Sequence, residues 1–314
     1  MTTVLVTGMS GYIGSALCRL MDVSPDVERF VGMDVKKPLE KYDKGRFRLM
    51  DVNDPSLFDW VAETRPQAMV HLAFVLNPTH DEKRMAEINL SGTQKALDAA
   101  AEAGVRRILV TSSATAYGAW PDNPVPLRET DPIRPHPGFA YARHKGELEH
   151  WMDAWEKENS GVELIRVRPC IVFGPRVGNF LSRMLTMPFG VILREHRASL
   201  QFVHEDDVAR ALLHLLLHAP AGPYNLAPPD AVELSEIYKM CGKRTFAVSD
   251  KTLIRAAALT WRLRLPPPAS PPGFVDFVRY PWLVDPAKLL STGYAFRYSS
   301  KETVEIMLRA KGRL

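Results

Sequence analysis

Short apolar runs and longer amphipathic stretches alternate along the first 170 residues. The runs fall at Thr3 to Thr7, Arg29 to Met33, Phe47 to Met50, Ala68 to Leu72, Arg107 to Ser112 and Val162 to Arg168, each of strand length. Between them lie segments with apolar residues at helical spacing. The clearest is Glu82 to Ala103, whose Ala and Leu content and following Gly104 predict one long helix with a glycine stop. This rhythm predicts βαβ units and a doubly wound parallel α/β sheet with helices on both faces. After Pro169 the elements shorten and prolines cluster. That change predicts a smaller C-terminal substrate-binding cap over the C-terminal edge of the sheet, the edge where ligands bind in such folds. Residues 1–170 are therefore expected to form the nucleotide-binding domain, joined by a later strand and helix from about 200–220, with residues 171–314 mainly the cap. Helices are expected over Asp207 to His218 and Lys251 to Arg264, the second ended by Pro266-Pro267-Pro268 and Pro271-Pro272. Ser299 with Glu302 reads as a capping box for a last helix toward Arg309.

Composition narrows the class. At 314 residues with 46% hydrophobic and 24% charged, the chain fits a globular protein with a substantial core. Its net charge of +4 comes from scattered basic residues, so no nucleic-acid partner is expected. A first strand beginning near residue 3 leaves no room for a signal peptide, and no apolar stretch reaches the length of a membrane span. A cytoplasmic location is expected. Cys18, Cys170 and Cys241 are odd in number and widely spaced, which reads as buried thiols.

The chemistry begins directly after the first apolar run. Thr7-Gly8-Met9-Ser10-Gly11-Tyr12-Ile13-Gly14 has the glycine spacing that lets a chain reverse tightly, lay bare N–H groups against a pyrophosphate and pack the next helix on its strand. The second run ends in Asp34, 20 residues beyond Gly14, a carboxylate suited to the hydroxyls of an adenosine ribose. Farther on, Tyr141 and Lys145 stand one helical turn apart. A free tyrosine titrates near pH 10, so its use as an acid–base group near neutrality needs electrostatic help of roughly 4 kcal/mol. Ser113 follows a predicted strand, where its hydroxyl can orient a substrate oxygen or satisfy backbone groups.

With these residues in place the chain resembles the extended short-chain dehydrogenase/reductase family, of the NAD-dependent epimerase/dehydratase type, over nearly its whole length. The ordered features are Thr7 to Gly14, Asp34, Asp51-Val52, His71-Leu72-Ala73, Asn89 to Thr93, Ser112-Ser113, Tyr141 with Lys145, Arg168-Pro169 before Gly174-Pro175, and Phe202-Val203-His204 before Asp206-Asp207-Val208-Ala209. The resemblance implies a Rossmann fold, NAD as cofactor, and a homodimer formed through two helices of the nucleotide-binding half. It implies that Ser113, Tyr141 and Lys145 are catalytic, with Lys145 lowering the tyrosine pKa and holding the nicotinamide ribose. It further implies that Gly8, Gly11, Tyr12, Ile13 and Gly14 meet the pyrophosphate, Asp34 the ribose, Asp51 and Val52 the adenine, and Leu72 and Ala73 the middle of the cofactor. Asn89 would steady the sheet edge near the site. Asp34 favours NAD over NADP, although Lys36 and Lys37 follow it closely.

The substrate is less defined. Members of the family that act on sugar nucleotides commonly carry an arginine before the Asp-Phe-Val-like strand, where this chain has Leu200-Gln201; Arg194 or Arg197 is the available replacement. Asn179 and Phe180 lie where the family lines its substrate pocket, and Thr115 and Phe74 join them as substrate candidates. Phe74, Val75 and Leu76 also suit a less polar alcohol or ketone. Three readings stand: an epimerase/dehydratase acting on a small-molecule substrate such as a nucleotide sugar, a dehydrogenase/reductase of a non-sugar hydrophobic alcohol or ketone, and a catalytically silent NAD-binding protein. The intact Ser113, Tyr141 and Lys145 argue against the third. No metal is expected: His214 and His218 have zinc-like spacing but no third ligand beside them, and Glu205-Asp206-Asp207 reads as a helix cap. Trp261 to Leu265 reads as a cap segment or surface loop.

Overall fold

The computed structural model describes residues 2–265 and 270–314, so the cluster Pro266-Pro267-Pro268 lies outside the described residues. Seven strands build the central sheet: β1 (Thr2–Thr7), β2 (Val27–Asp34), β3 (Gly45–Leu49), β4 (Ala68–His71), β5 (Arg107–Thr111), β6 (Glu163–Pro169) and β7 (Gly222–Leu226). Their spatial order is β3-β2-β1-β4-β5-β6-β7, and every pairing is parallel. The order reverses between β1 and β4, which opens a crevice above their C-terminal ends. The helices are α1 (Tyr12–Val23), α2 (Leu57–Thr64), α3 (Glu82–Ala86), α4 (Gly92–Glu102), α5 (Ala140–Glu158), α6 (Phe180–Leu185), α7 (Glu205–His218), α8 (Leu234–Met240), α9 (Asp250–Arg262), α10 (Ala287–Leu290) and α11 (Ser300–Ala310).

Strand periodicity divides the core in two. Val4, Val6, Val70, Leu109 and Ile165 point to the face covered by α1 and α7, whereas Leu5, Met69, Ile108 and Leu164 point to the face covered by α2, α4 and α5. Both faces are buried, so these strands read as nearly unbroken apolar runs. Each such side chain contributes about 1.5–3 kcal/mol by leaving water.

Three local expectations needed correction. The stretch from Glu82 is not one uniform α-helix, because a π turn at Glu87–Ser91 separates α3 from α4. It carries the buried Asn89, whose Oδ1 accepts from Val75 N at 2.7 Å and whose amide donates to Val75 O at 3.2 Å. Composition does not reveal this extra residue per turn, which leaves the helix-forming content unchanged. Cys18 and Cys170 are buried as expected, but Cys241 is half-buried. The expected carboxylate cap of α7 is also absent: His204 is the N-cap, and its Nδ1 accepts from Asp206 N at 3.1 Å.

Asp207, already inside the helix, has a different task. Its buried carboxylate accepts from Arg297 N at 3.0 Å and Tyr298 N at 3.1 Å and pairs with Arg210 at 2.8 Å. These bonds fasten the segment leading into α11 onto α7, which packs on α1. Asp207→Ala leaves two backbone donors and a guanidinium without their acceptor. It is expected to lower unfolding free energy by about 3–5 kcal/mol, read by urea denaturation; a loss below about 1 kcal/mol would contradict this role.

Candidate active site

The glycine turn lies at the mouth of the crevice. Gly8 has φ +73°, and a Cβ there would lie 2.7 Å from Ala73 N and 2.8 Å from Leu72 C. Only glycine lets the turn rest against the chain leaving β4. A Cβ on Gly14 would lie 2.1 Å from Gly8 O, so α1 starts flush on the turn. Gly11 is the N-cap of α1, with no side-chain cap and no acidic residue in the first turn. Its uncapped N–H groups and dipole suit a pyrophosphate, and the bare glycine surface leaves room for one. The residues present therefore fit a dinucleotide.

Asp34 stands at the end of β2. Its two carboxylate oxygens accept from Ser10 N at 3.0 Å and Lys36 N at 3.1 Å, which fixes its direction and leaves lone pairs for ribose hydroxyls. Lys36 and Lys37 are exposed. Asp51 accepts from Arg84 Nη2 at 3.0 Å and Asn53 N at 2.9 Å, and Val52 is buried beside it. Leu72 N and Ala73 N donate to the Thr7 hydroxyl at 3.2 and 3.4 Å. The same hydroxyl meets His71 Nδ1 at 2.8 Å, and His71 Nε2 meets the Thr93 hydroxyl at 2.9 Å. Burial first, and the charge of Lys145 second, push the His71 pKa down to about 3. His71 is thus a neutral brace between β1, β4 and α4, a role its sequence position alone does not disclose.

Helix α5 carries Tyr141, Lys145 and Glu149 on successive turns. Glu149 is locked by Arg168, with Nε to Oε1 at 2.9 Å and Nη2 to Oε2 at 2.8 Å, and Arg166 Nη1 adds a contact at 3.2 Å. Burial alone would raise the Glu149 carboxyl pKa; the two guanidiniums more than reverse that and hold it below the ordinary range. Arg168 Nη1 also donates to the Tyr117 hydroxyl at 2.6 Å, and that hydroxyl donates to Asn225 Oδ1 of β7 at 2.9 Å.

Ser113 caps the short 3₁₀ turn Ala114–Tyr117 beyond β5. Its Oγ accepts from Thr115 N at 3.2 Å and from the Thr115 hydroxyl at 2.9 Å, so its own proton remains available to donate. Burial pushes the Tyr141 phenol up to about 12, and the neighbouring Ser113 hydroxyl pulls the other way. Two close contacts hold Lys145. Its Nζ donates to Thr111 O at 2.6 Å and lies 3.3 Å from the Phe74 ring centroid, whereas the Tyr141 ring is 5.9 Å away. A carbonyl and a ring face compensate the buried ammonium. Burial lowers Lys145 itself to about 7, with Glu149 opposing.

These groups meet in one cavity of about 320 Å³. Gly8, Gly11, Tyr12, Ile13, Gly14, Leu72, Ser113, Tyr141 and Lys145 line it, together with the substrate candidates Phe74, Thr115, Asn179 and Phe180. Asp34, Asp51, Val52 and Ala73 lie outside its wall. Asn179 also caps α6, its Oδ1 accepting from Ser182 N at 2.9 Å. The sequence reading missed Phe139, Phe274 and Phe277, whose rings pack edge-to-face or stacked at centroid distances of 5.6 to 6.2 Å. The three-residue spacing of Phe274 and Phe277, which shares a face on the 3₁₀ turn Pro272–Val278, was the available signal. Arg194 and Arg197 do not reach the cavity: both are exposed beside a separate groove, and Arg194 Nε donates to Ala247 O at 3.0 Å. His214 bonds the Thr292 hydroxyl at 2.9 Å, and Trp261 stacks on His80 at 4.0 Å.

The lysine has a thermodynamic signature. Because its pKa falls from 10.5 to about 7 on folding, the unfolded chain binds more protons between those values, and stability rises with pH across that window. The contribution is complete above 10.5 and lost as pH falls to about 7. Urea denaturation of NAD-free protein is expected to show this rise, and Lys145→Met to reduce its slope; equal slopes would contradict a buried, depressed Lys145.

Comparison with known proteins agrees with this geometry. The family model for the NAD dependent epimerase/dehydratase family matches residues 4–227. The UDP-glucose 4-epimerase of Mycolicibacterium smegmatis is 30% identical over 242 residues, covering 69% of this chain and 74% of that protein. Two uncharacterised proteins of Mycobacterium tuberculosis are 24% and 27% identical over 76% and 81% of this chain. The chain spans 66% of the length of the first and 25% of the second. Among solved structures, the fold matches a Thermus thermophilus UDP-glucose 4-epimerase in complex with NAD, with a TM-score of 0.75 and 21% identity over 99% of this chain and 100% of that one. MoeE5 in complex with UDP-glucose and NAD has a TM-score of 0.75 and 22% identity over 99% of both chains. With the match spanning most of the chain, this protein belongs to the NAD-dependent epimerase/dehydratase family of short-chain dehydrogenase/reductase enzymes.

Proposed function

We propose that the protein moves a hydride between NAD and a secondary alcohol or its ketone, with Tyr141 as the acid–base group. The observation that supports this most directly is the meeting of Tyr141, Ser113 and Lys145 in the cavity that also contains the glycine turn. Bound NAD supplies the hydride acceptor or donor. The turn and the head of α1 hold its pyrophosphate, and Asp34 holds its adenosine ribose. Ser113 donates its free proton to the reacting oxygen and fixes its position. Tyr141 gives a proton to that oxygen during reduction and takes one during oxidation. Lys145 sits close to its own titration point near neutrality and, with its Nζ 5.9 Å from the Tyr141 ring, places positive charge near the phenol.

Residues 1–170, with the later strand and helix, serve as the cofactor half, and residues 171–314 cover the substrate. The family resemblance supports a cytoplasmic homodimer joined through helices of the cofactor half. Relatives named for UDP-sugars support an epimerase or dehydratase cycle, in which NAD ends as it began. A net reductase or dehydrogenase instead leaves the cofactor changed, so its absorbance separates the two outcomes. Tyr141→Phe keeps the ring and removes the proton. It is expected to lower kcat by about 10²–10⁴-fold with NAD affinity unchanged in calorimetry; undiminished turnover would remove Tyr141 from its role.

A further inference from the structure

The cavity wall facing Tyr141 has almost no polarity to offer. Resting on the hydride-transfer reading, we propose that the substrate is an uncharged, apolar secondary alcohol or ketone and that the enzyme works as a net dehydrogenase or reductase. Among the described residues lining the cavity, Lys145 is the one charged side chain, and it is committed to Thr111 O and the Phe74 ring. Away from the glycine turn, which the pyrophosphate of NAD would occupy, a second diphosphate entering this space would lose its hydration without a guanidinium to replace it, at a cost of several kcal/mol.

The elements that could present such a cation have turned apolar groups inward. Helix α6 places Phe180, Leu181 and Met184 on the cavity and leaves Arg183 exposed, bonded to Gly178 O at 3.0 Å. Leu200 lines the wall where an arginine would be needed. Its neighbour Gln201 is spent on structure, donating to Pro228 O and Val284 O at 3.0 Å each and accepting from Val284 N at 2.8 Å. Two further polar groups of the wall are engaged: Asn179 Oδ1 caps α6, and Trp282 Nε1 donates to Phe277 O at 2.9 Å. A sugar's hydroxyls would find few partners there, whereas hydrocarbon would meet rigid ring faces and edges. In the oxidising direction the carbinol C–H electron pair would leave as hydride to NAD⁺ and the O–H proton would pass to the Tyr141 phenolate, formed beforehand by loss of the phenol proton to water, giving the ketone, NADH and one proton released overall.

The test uses the full chain with NAD⁺ and the alkan-2-ols from butan-2-ol to decan-2-ol, following NADH formation. If the wall buries the alkyl chain, kcat/KM rises about fourfold per added methylene until the cavity is full, and Met184→Arg or Leu181→Arg flattens the rise. In parallel, calorimetry of NAD-loaded protein with UDP is expected to show no micromolar binding. A flat series, an absence of alcohol turnover, or micromolar UDP binding overturns the apolar-substrate proposal. Interconversion of UDP-glucose and UDP-galactose that Tyr141→Phe abolishes overturns it while leaving the hydride-transfer reading intact. Turnover of either substrate class that survives Tyr141→Phe removes both.

Discussion

The two-pronged pair between Glu149 and Arg168 sets the positions of Tyr141, Lys145 and Ser113. Glu149 shares a helix face with Tyr141 and Lys145 at four-residue spacing, so seating its carboxylate on β6 fixes the rotation and depth of all three. Arg168 also reaches Tyr117, on the turn that Ser113 caps. One guanidinium thus positions both the phenol and the hydroxyl beside it. A buried ion pair is costly to desolvate, and breaking one generally costs about 3–5 kcal/mol. Here Arg166, Tyr117 and Asn225 satisfy the remaining donors and acceptors, so the pair serves alignment as well as stability.

A second set of constraints joins the cofactor side to this frame. The backbone after β4 lies so close to Gly8 that no side chain fits between them, and Thr7, His71 and Thr93 link the strands beneath. The π turn then puts Asn89 on both polar atoms of Val75, which fixes the short loop carrying Phe74. Phe74 meets Tyr141 edge-on at 5.5 Å and lies under Lys145. A distortion within a helix is thereby transmitted to the cavity wall beside Tyr141 through one amide.

Features decided by nearby residues were legible in the sequence. The six early strands, the glycine turn, the Tyr141–Lys145 spacing and the Ser299–Glu302 capping box follow from local periodicity and short-range geometry. Features decided by distant partners were not. Asp207 looks like a cap until Arg297 arrives from 90 residues away. The phenylalanines at 274 and 277 look like ordinary cap residues until they meet Phe139. The spacing of Tyr141 and Lys145 did not disclose the carbonyl and ring face that compensate the buried ammonium. The missing arginine at Leu200 was visible, yet only the structure showed that Arg194 and Arg197 lie beside another groove.

The central claim is that Tyr141, Ser113 and Lys145 direct a hydride between substrate carbon and nicotinamide. The most direct measurement is a single turnover of NAD-loaded protein with an alkan-2-ol carrying deuterium on its carbinol carbon, followed by mass analysis of the cofactor. Deuterium recovered on the reduced nicotinamide is the expected result. Deuterium recovered in water, with the alcohol consumed, would contradict hydride transfer and with it the roles assigned to these three residues.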